Sequence, residues 1–390
     1  MNRGHYQFVC ADCFEDPALQ HFVREHVVES RCDFCGREEE GNAISADVEG
    51  VVNYIRDRLE EHFSDNSVEC IPFDQEEDDY FLPVFDTRSL FYEELGGFPT
   101  SNNDLIQFIV DSLPDREWCH KDPGILSRYE GLKLGWEEFC RAVKHHTRFL
   151  FFQKAKHRPD EIGYEPNAVD PGEMLGELEE LIRRFDLIRD LGSSQEMIRV
   201  RCHSTRERYT TPAQLGPPPE EAARATRMSP AGIPVFYAAE ELDTALAETR
   251  LEKEPAASIG IWRVIEPIRV LNLAELPEIP SIYDPTPAEE TQLRTFLWHF
   301  RNSITSPTKP DKSEHLEYVP SQIVTEYLRL RYSDERGAIH GIKYPSARNR
   351  KGTNFVLFFD QSAIEGAKSD SIIPHRPWLR LVGTDYQELA

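Results

Sequence analysis

The sequence predicts an α+β protein made of a zinc-knuckle unit, a helical bundle and a C-terminal mixed domain. Three observations support this prediction. Two Cys-x2-Cys pairs stand near the start of the chain. Apolar residues then recur at helical spacing as far as about residue 190. From about residue 195, short apolar and β-branched runs alternate irregularly with helical segments, and this pattern favours α+β over a regular βαβ fold.

Acidic residues are concentrated in the first half of the chain. Residues 1–190 contain 42 Asp and Glu against 20 Lys and Arg, residues 191–390 contain 27 against 24, and the whole chain carries a net charge of −25. We expect the first half to repel nucleic acid and the second half to accept an anionic ligand. No apolar run approaches 18 residues, and the start lacks an apolar signal segment. We therefore expect a cytoplasmic protein without a membrane span.

Residues 1–45 form a predicted metal-binding unit. Cys10 and Cys13 are separated from Cys32 and Cys35 by 18 residues, a gap typical of four-thiolate zinc sites. Four thiolates complete a closed tetrahedron, so the spacing predicts a structural zinc rather than a catalytic one. The alternative is four thiols without metal.

Helices are predicted by capping signals as well as by periodicity. Asp16-Pro17 predicts the start of a short helix that runs through His26, and Asp170-Pro171 predicts the start of a long one. Residues 46–192 form a predicted helical domain, a four-helix bundle with a charged loop at 154–169. The apolar positions of its helices are Val51, Val52, Ile55, Leu59 and Phe63; Leu105, Phe108, Ile109 and Leu113; Trp136, Phe139, Cys140, Val143 and Leu150; and Met174, Leu175, Leu178, Leu181, Ile182, Phe185 and Ile188.

Residues 193–390 form the predicted mixed domain. Its turn-bounded apolar runs predict seven strands, and helical segments fall between them. The predicted strands are 197–200, 233–237, 258–262, 268–273, 338–342, 354–359 and 379–382, and the predicted helices are 241–251, 287–303 and 319–331.

Four polar residues in this second half are suited to the chemistry of a nicotinamide nucleotide. The chain has no P-loop, G-x-G-x-x-G, G-x-S-x-G or H-E-x-x-H motif. An arginine such as Arg227 can grip a pyrophosphate, an aromatic ring such as Tyr237 can stack on nicotinamide, and a carboxylate such as Glu248 can stabilise an oxocarbenium-like ribose. The Ser346 hydroxyl can fix the ribose or the carboxamide. Taken singly, each residue more often has an ordinary structural role: Arg227 in a surface salt bridge, Tyr237 in half-buried core, Glu248 at a solvated helix position and Ser346 in a turn.

Several segments of this half, in their residues and in their order along the chain, resemble the RES domain, which is named for Arg, Glu and Ser. The similarity covers about residues 195–385. The segments that carry it are LGPPP at 215–219, RMSPAGIPVFYAA at 227–239, DTALAE at 243–248, EYVPSQ at 317–322, GIKYPS at 341–346 and GTNFVLFF at 352–359. The resemblance implies an ADP-ribosyltransferase-like fold, NAD cleavage, and the family's Arg, Tyr, Glu and Ser at Arg227, Tyr237, Glu248 and Ser346.

The first half suggests a second activity. Arg141 and His146 form an Arg-x4-His pattern on a predicted helix, and this arrangement resembles HEPN domains that stand in front of RES domains. In an active HEPN ribonuclease, such a histidine acts as acid and base and the arginine contacts the scissile phosphate. Ala142 follows Arg141 where active members often carry a polar side chain, and the acidic balance opposes RNA binding. A regulatory or interaction module is the interpretation that we favour.

The resemblance to RES domains further implies a bacterial NAD-consuming enzyme that acts by phosphorolysis or hydrolysis, as a toxin or defence effector. The alternatives are a protein ADP-ribosyltransferase, a HEPN-type ribonuclease, and a regulatory binding protein with an inert RES domain. The expected partners are NAD, phosphate as a candidate acceptor, an antitoxin or regulatory protein, and a second copy of the chain. We expect neither a membrane nor nucleic acid as a partner.

Overall fold

A computed structural model describes residues 7–152, 167–204, 207–249, 256–307, 314–366 and 377–388. The chain divides into two compact units. The first contains Met1–Arg128 and Glu278–Gln292, and the second contains Tyr129–Pro277 and Leu293–Ala390. Most of the predicted loop 154–169 and the end of the predicted helix 241–251 lie outside the described residues.

The first unit combines helices with small antiparallel sheets around a core of its own. Its helices are α1 (Pro17–Glu25), α2 (Val48–His62), α3 (Asn66–Glu69), α4 (Thr87–Ser89) and α5 (Asn103–Ser112). Its strands are β1 (Phe8–Cys10), β2 (Ser45–Asp47), β3 (Phe63–Asp65), β4 (Phe73–Asp74), β5 (Asp79–Tyr80), β6 (Val84–Phe85) and β7 (Trp118–His120), which pair as β1–β2, β3–β7–β6 and β4–β5. The predicted start of α1 is confirmed, because the Asp16 carboxylate accepts hydrogen bonds from the Ala18 and Leu19 amides and Pro17 follows it.

The second unit is built on one eight-stranded sheet. The helices that lie wholly or mainly in this unit are α6 (Arg128–His145), α7 (Met174–Arg184), α8 (Pro212–Leu215), α9 (Leu242–Glu248), α10 (Ala288–Thr305), α11 (Glu314–Glu317) and α12 (Val319–Leu330). Its strands are β8 (Ile188–Leu191), β9 (Glu196–His203), β10 (Phe236–Ala239), β11 (Ala256–Val264), β12 (Ile268–Asn272), β13 (Ser333–Asp334), β14 (Gly337–Ala338), β15 (Gly341–Pro345), β16 (Thr353–Leu357) and β17 (Leu379–Glu388). The order in the large sheet is β17-β11-β9-β10-β16-β15-β12-β8, while β13 and β14 form a separate hairpin.

The boundaries of the two compact units differ from the boundaries of the three regions predicted from the sequence. Helices α6 and α7 belong to the second unit, where their apolar faces share a core with strands β12, β15 and β16 and helices α10 and α12. Helices α2 and α5 belong to the first unit, so the four predicted helices do not form one bundle. The assignment of domains at 1–45, 46–192 and 193–390 stays a prediction.

The predicted long helix from Asp170 was wrong at both ends. The Asp170 carboxylate accepts the Gly172 amide in a tight turn, and α7 begins only at Met174. The helix ends at Arg184 because Asp186 adopts a left-handed conformation with φ 44°. Ile188 then begins strand β8, although it also fits the helical repeat. The predicted helix through Leu150 likewise ends earlier, since α6 stops at His145.

Three neighbouring strands bring the candidate site together. Strand β10 pairs with β16, which places Tyr237 opposite Val356, and β16 pairs with β15, which places Asn354 opposite Tyr344. Helix α9 follows β10 and ends at Glu248. The residues just beyond β15 and at the start of β16 therefore lie beside the end of α9.

A close approach fixes the loop between β15 and β16. The Ser346 amide donates to the Gly352 carbonyl at 2.8 Å, and the Asn349 side chain donates to Thr244 Oγ1 at 2.8 Å. A Cβ added at Gly352 would collide with Thr244 Oγ1 and lie 2.7 Å from Thr244 Cγ2. Because Thr244 is fully buried on α9, neither its side chain nor the backbone at Gly352 can easily move to relieve the clash.

The substitution Gly352→Ala tests this contact. We expect it to lower the free energy of unfolding by roughly 1–3 kcal/mol, because the methyl group overpacks a tight contact. The control is Gly192→Ala, where no atom lies within 4 Å of the added carbon. Thermal or urea unfolding of both variants is the measurement, and equal stability of the two would show that the loop yields without cost.

Candidate functional site

A cavity of about 390 Å³ opens in the second unit. Residues from the loop before β10, from β9, β10 and β16, from helix α9 and from the loop after β15 line it. Its polar lining residues are Arg199, Thr226, Arg227, Tyr237, Glu248, Thr249, Thr305, Tyr318, Tyr344, Arg348 and Asn354. Three of the four residues singled out in the sequence thus line one cavity, and the fourth, Ser346, contacts one of them.

The carboxylate of Glu248 is held through one oxygen. Its Oε1 accepts a hydrogen bond from Ser346 Oγ at 2.6 Å and another from Asn354 Nδ2 at 2.8 Å. Both donors are buried, with 8% and 5% of their surface exposed. The other oxygen, Oε2, lies 3.9 Å from Arg348 Nε. One oxygen therefore anchors the side chain, and the second accepts no hydrogen bond from the described residues, while Glu248 as a residue lines the cavity.

Ser346 holds Glu248 rather than lining the cavity. Its hydroxyl donates to Glu248 and accepts the backbone amides of Arg348 and Asn349 at 3.1 and 3.0 Å. The single hydroxyl proton of Ser346 is therefore already donated to Glu248. In the structure this hydroxyl therefore contacts Glu248 and the backbone of its own loop, and the expected contact of Ser346 with the ribose or the carboxamide stays a prediction.

Tyr237 lies on β10, and two hydrogen bonds hold its hydroxyl group in place. The phenol oxygen accepts the Met228 amide at 3.1 Å and shares a hydrogen bond with Thr226 Oγ1 at 2.9 Å. Burial raises the pKa of Tyr237 to about 12, so the phenol is neutral at physiological pH. The ring can therefore serve as an uncharged wall of the cavity, and its hydroxyl fixes the loop that carries Arg227.

Hydrogen bonds to the backbone hold the segment of Arg227 in place, and its guanidinium keeps N–H donors that a ligand can use. The Ser321 hydroxyl donates to the Arg227 carbonyl at 2.6 Å, and the Gln322 amide donates to the Thr226 carbonyl at 2.7 Å. The guanidinium lies over the Tyr318 ring and donates only a long bond, 3.3 Å, to the Ile304 carbonyl. Within the described residues it forms no ion pair.

Arg199 on β9 is a cavity residue that the sequence reasoning missed. It donates to the Tyr237 carbonyl at 2.6 Å, and its Nε is buried without a hydrogen-bond acceptor. Burial lowers the pKa of Arg199 to about 10, and no carboxylate in the described part of the chain pairs with it. A positive charge in this position is suited to an anionic ligand. The only signal in the sequence was a charged residue within an apolar strand.

The four cysteines of the first unit converge as predicted. Cys10 Sγ lies 3.7 Å from Cys13 Sγ and 3.5 Å from Cys35 Sγ, and Cys13 Sγ lies 3.6 Å from Cys32 Sγ. A tetrahedral zinc with sulfur ligands at about 2.3 Å separates its sulfurs by about 3.8 Å, so the cluster fits the metal closely. Hydrogen bonds from the Cys10 and Cys13 thiols hold the pKa of Cys32 well below its usual range. These residues could hold a metal ion such as zinc.

Arg141 and His146 do not form a buried pair. Arg141 is exposed and bonded to Glu138, and His146 is exposed just beyond the end of α6. His146 is therefore not a core histidine. Neither residue lies in the cavity that contains Glu248.

Comparison with known protein families gives two matches. Residues 25–157 match HEPN/RES N-terminal domain 1, and residues 198–379 match the RES domain. These matches confirm the resemblance seen in the sequence and support a NAD-related or ADP-ribosyltransferase-like function at the level of the family. No curated protein and no solved structure matches the chain. None of the described helices has the length and apolar composition needed to cross a bilayer.

We expect about one zinc per chain, bound by Cys10, Cys13, Cys32 and Cys35. Cys13→Ser should release it and destabilise the first unit, because metal binding energy there is folding energy. The matched control is Cys70→Ser, at an exposed cysteine outside the cluster. Elemental analysis and thermal unfolding are the measurements. A folded protein without zinc, with four freely titratable thiols, would contradict the assignment.

Proposed function

We propose that this chain, which carries a RES domain behind a HEPN/RES N-terminal domain, cleaves the bond between nicotinamide and ribose in NAD. The observation that supports this most directly is Glu248, which lines the cavity, is anchored through Oε1, and leaves Oε2 without a hydrogen bond from the described residues. The same cavity presents Arg227 and Arg199, two cations without carboxylate partners among the described residues. This combination suits a dinucleotide whose pyrophosphate is anionic and whose ribose becomes cationic during cleavage.

The proposed reaction uses Glu248 for electrostatic stabilisation. When the C1′–N bond breaks, its electron pair neutralises the pyridinium, so nicotinamide leaves without needing an acid. The ribose develops oxocarbenium character, as in glycoside hydrolysis. A fixed carboxylate stabilises this charge in the transition state more than in the ground state, where the positive charge lies on the nicotinamide.

The other residues of the site have supporting roles in this proposal. Arg227 and Arg199 bind the pyrophosphate, for which the planar guanidinium fork is well matched. The neutral Tyr237 ring packs against the nicotinamide. Ser346 and Asn354 keep Glu248 in place. We propose an ADP-ribosyltransferase-like fold for the RES domain and a structural zinc in the first unit.

The biological setting that we propose is NAD depletion by a bacterial toxin or defence effector, with water or phosphate as acceptor. An antitoxin or regulatory protein would restrain it, and self-association stays a prediction. Transfer to a protein side chain is the alternative outcome of the same bond cleavage. No contact among the described residues favours the ribonuclease, since Arg141 pairs with Glu138 on an exposed surface.

The substitution Glu248→Gln tests the carboxylate. It preserves size and one acceptor oxygen but removes the charge. We expect nicotinamide release to fall about 10²–10³-fold, the usual effect of losing one transition-state interaction of about 3–4 kcal/mol, while NAD binding weakens much less. The control is Glu221→Gln, at an exposed residue outside the cavity. Release at the wild-type rate by Glu248→Gln would contradict the mechanism.

The substitution Arg227→Ala tests the pyrophosphate contact. We expect the apparent KM for NAD to rise roughly tenfold to a hundredfold, because a hydrogen bond to a charged group contributes about 1.5–3 kcal/mol. The matched control is Arg224→Ala, an exposed arginine three residues earlier that does not line the cavity. Steady-state kinetics across NAD concentrations separate KM from kcat. An unchanged KM would place the pyrophosphate elsewhere.

A further inference from the structure

Arg348 is a third arginine of the cavity, and its side chain takes no part in the hydrogen bonds that hold Glu248. Its side chain is 41% exposed, and its only charged contact among the described residues is the 3.9 Å approach of Nε to Glu248 Oε2. A long, exposed ion pair of this kind contributes little to stability. Ser346 and Asn354 already anchor Glu248 through its other oxygen.

The position of Arg348 is nevertheless fixed by its loop. Its backbone amide donates to Ser346 Oγ at 3.1 Å, and the next residue, Asn349, is tied to Thr244 on helix α9. Gly352 packs against the same threonine. The backbone that carries Arg348 is therefore held by contacts on both sides, while the side chain lines the cavity and is 41% exposed. No hydrogen-bond acceptor for this guanidinium is found within the described ranges.

With Arg227 and Arg199 assigned to the pyrophosphate, the positive charge of Arg348 is available to a second ligand. Arg227 and Arg199 supply one cation for each negative charge of a dinucleotide pyrophosphate. They are held by contacts with Ile304, Tyr318 and Tyr237, whereas Arg348 adjoins Glu248, the residue assigned to the ribose. An arginine beside the reacting ribose is placed to bind the group that attacks it.

We infer that Arg348 selects the acceptor, by recruiting an oxyanion of the phosphate class to the Oε2 side of Glu248. This inference rests on the proposed NAD cleavage. A guanidinium binds phosphate through two parallel hydrogen bonds and offsets its repulsion from the carboxylate. Without such a cation, a dianion would not approach Glu248 closely.

The chemistry of the two acceptors differs in the proton. Hydrogen phosphate dianion donates an oxygen electron pair to ribose C1′ while the bond to nicotinamide breaks, and the pair from that bond neutralises the pyridinium. The products are nicotinamide and ADP-ribose 1″-phosphate, and no proton has to leave. When water attacks, its oxygen bonds to C1′, one proton passes to Glu248 Oε2 or solvent, and ADP-ribose forms. Arg348 serves the first route and is dispensable for the second.

The experiment compares Arg348→Gln with Arg350→Gln in the full-length protein. Arg350 is exposed, two residues away and outside the cavity lining. Nicotinamide release is measured in phosphate-free buffer and with increasing inorganic phosphate, and ADP-ribose and its 1″-phosphate are quantified. Phosphate should accelerate the wild type and Arg350→Gln alike. Arg348→Gln should raise the apparent KM for phosphate at least tenfold and shift the products to ADP-ribose, and Arg348→Lys should restore part of the loss.

The outcomes separate this inference from the proposed function. Wild-type release that is indifferent to phosphate and yields ADP-ribose alone would overturn the role of Arg348 but leave NAD cleavage standing. Equal phosphate dependence of both glutamine variants would overturn it as well. Absence of nicotinamide release under every condition would overturn both proposals. Thermal unfolding of the three variants excludes misfolding as the cause of a shift.

Discussion

The Glu248 carboxylate is held by two buried donors before any ligand arrives, and the rest of the cavity depends on this arrangement. Oε1 accepts from Ser346 and Asn354, which come from two neighbouring strands and the loop between them. A carboxylate in a cavity wall is costly without such donors. The order of strands β10, β16 and β15 therefore has to bring these residues to the end of α9.

The sequence could predict the residue types of the site but not their contacts. The sequence identifies Arg227, Tyr237 and Glu248 because they lie in one short segment whose residues resemble those of a known family. Asn354 and Glu248 are 106 residues apart, and their 2.8 Å contact exists only because β16 lies between β10 and β15. Periodicity indicates that a strand exists but not which strand is its neighbour. Arg199 was missed for the same reason.

The helices show a similar limit. Their apolar spacing correctly predicted that α6 and α7 bury one face, but it could not show what covers that face. The faces pack in the core that also contains the sheet, through residues such as Trp136 and Leu178. The ends of the helices were set by local chemistry that the spacing does not contain. Asp186, with its left-handed backbone, is the clearest example.

Isotope effects on nicotinamide release test the central claim most directly, since Glu248 is assigned to an oxocarbenium-like ribose. Tritium at ribose C1′ of NAD should give a normal secondary isotope effect in a single turnover of the wild-type protein, because C1′ flattens as the bond to nicotinamide breaks. The label should have the same direction of effect with phosphate or water as acceptor. A value of one, with bond cleavage limiting the turnover, would contradict the account.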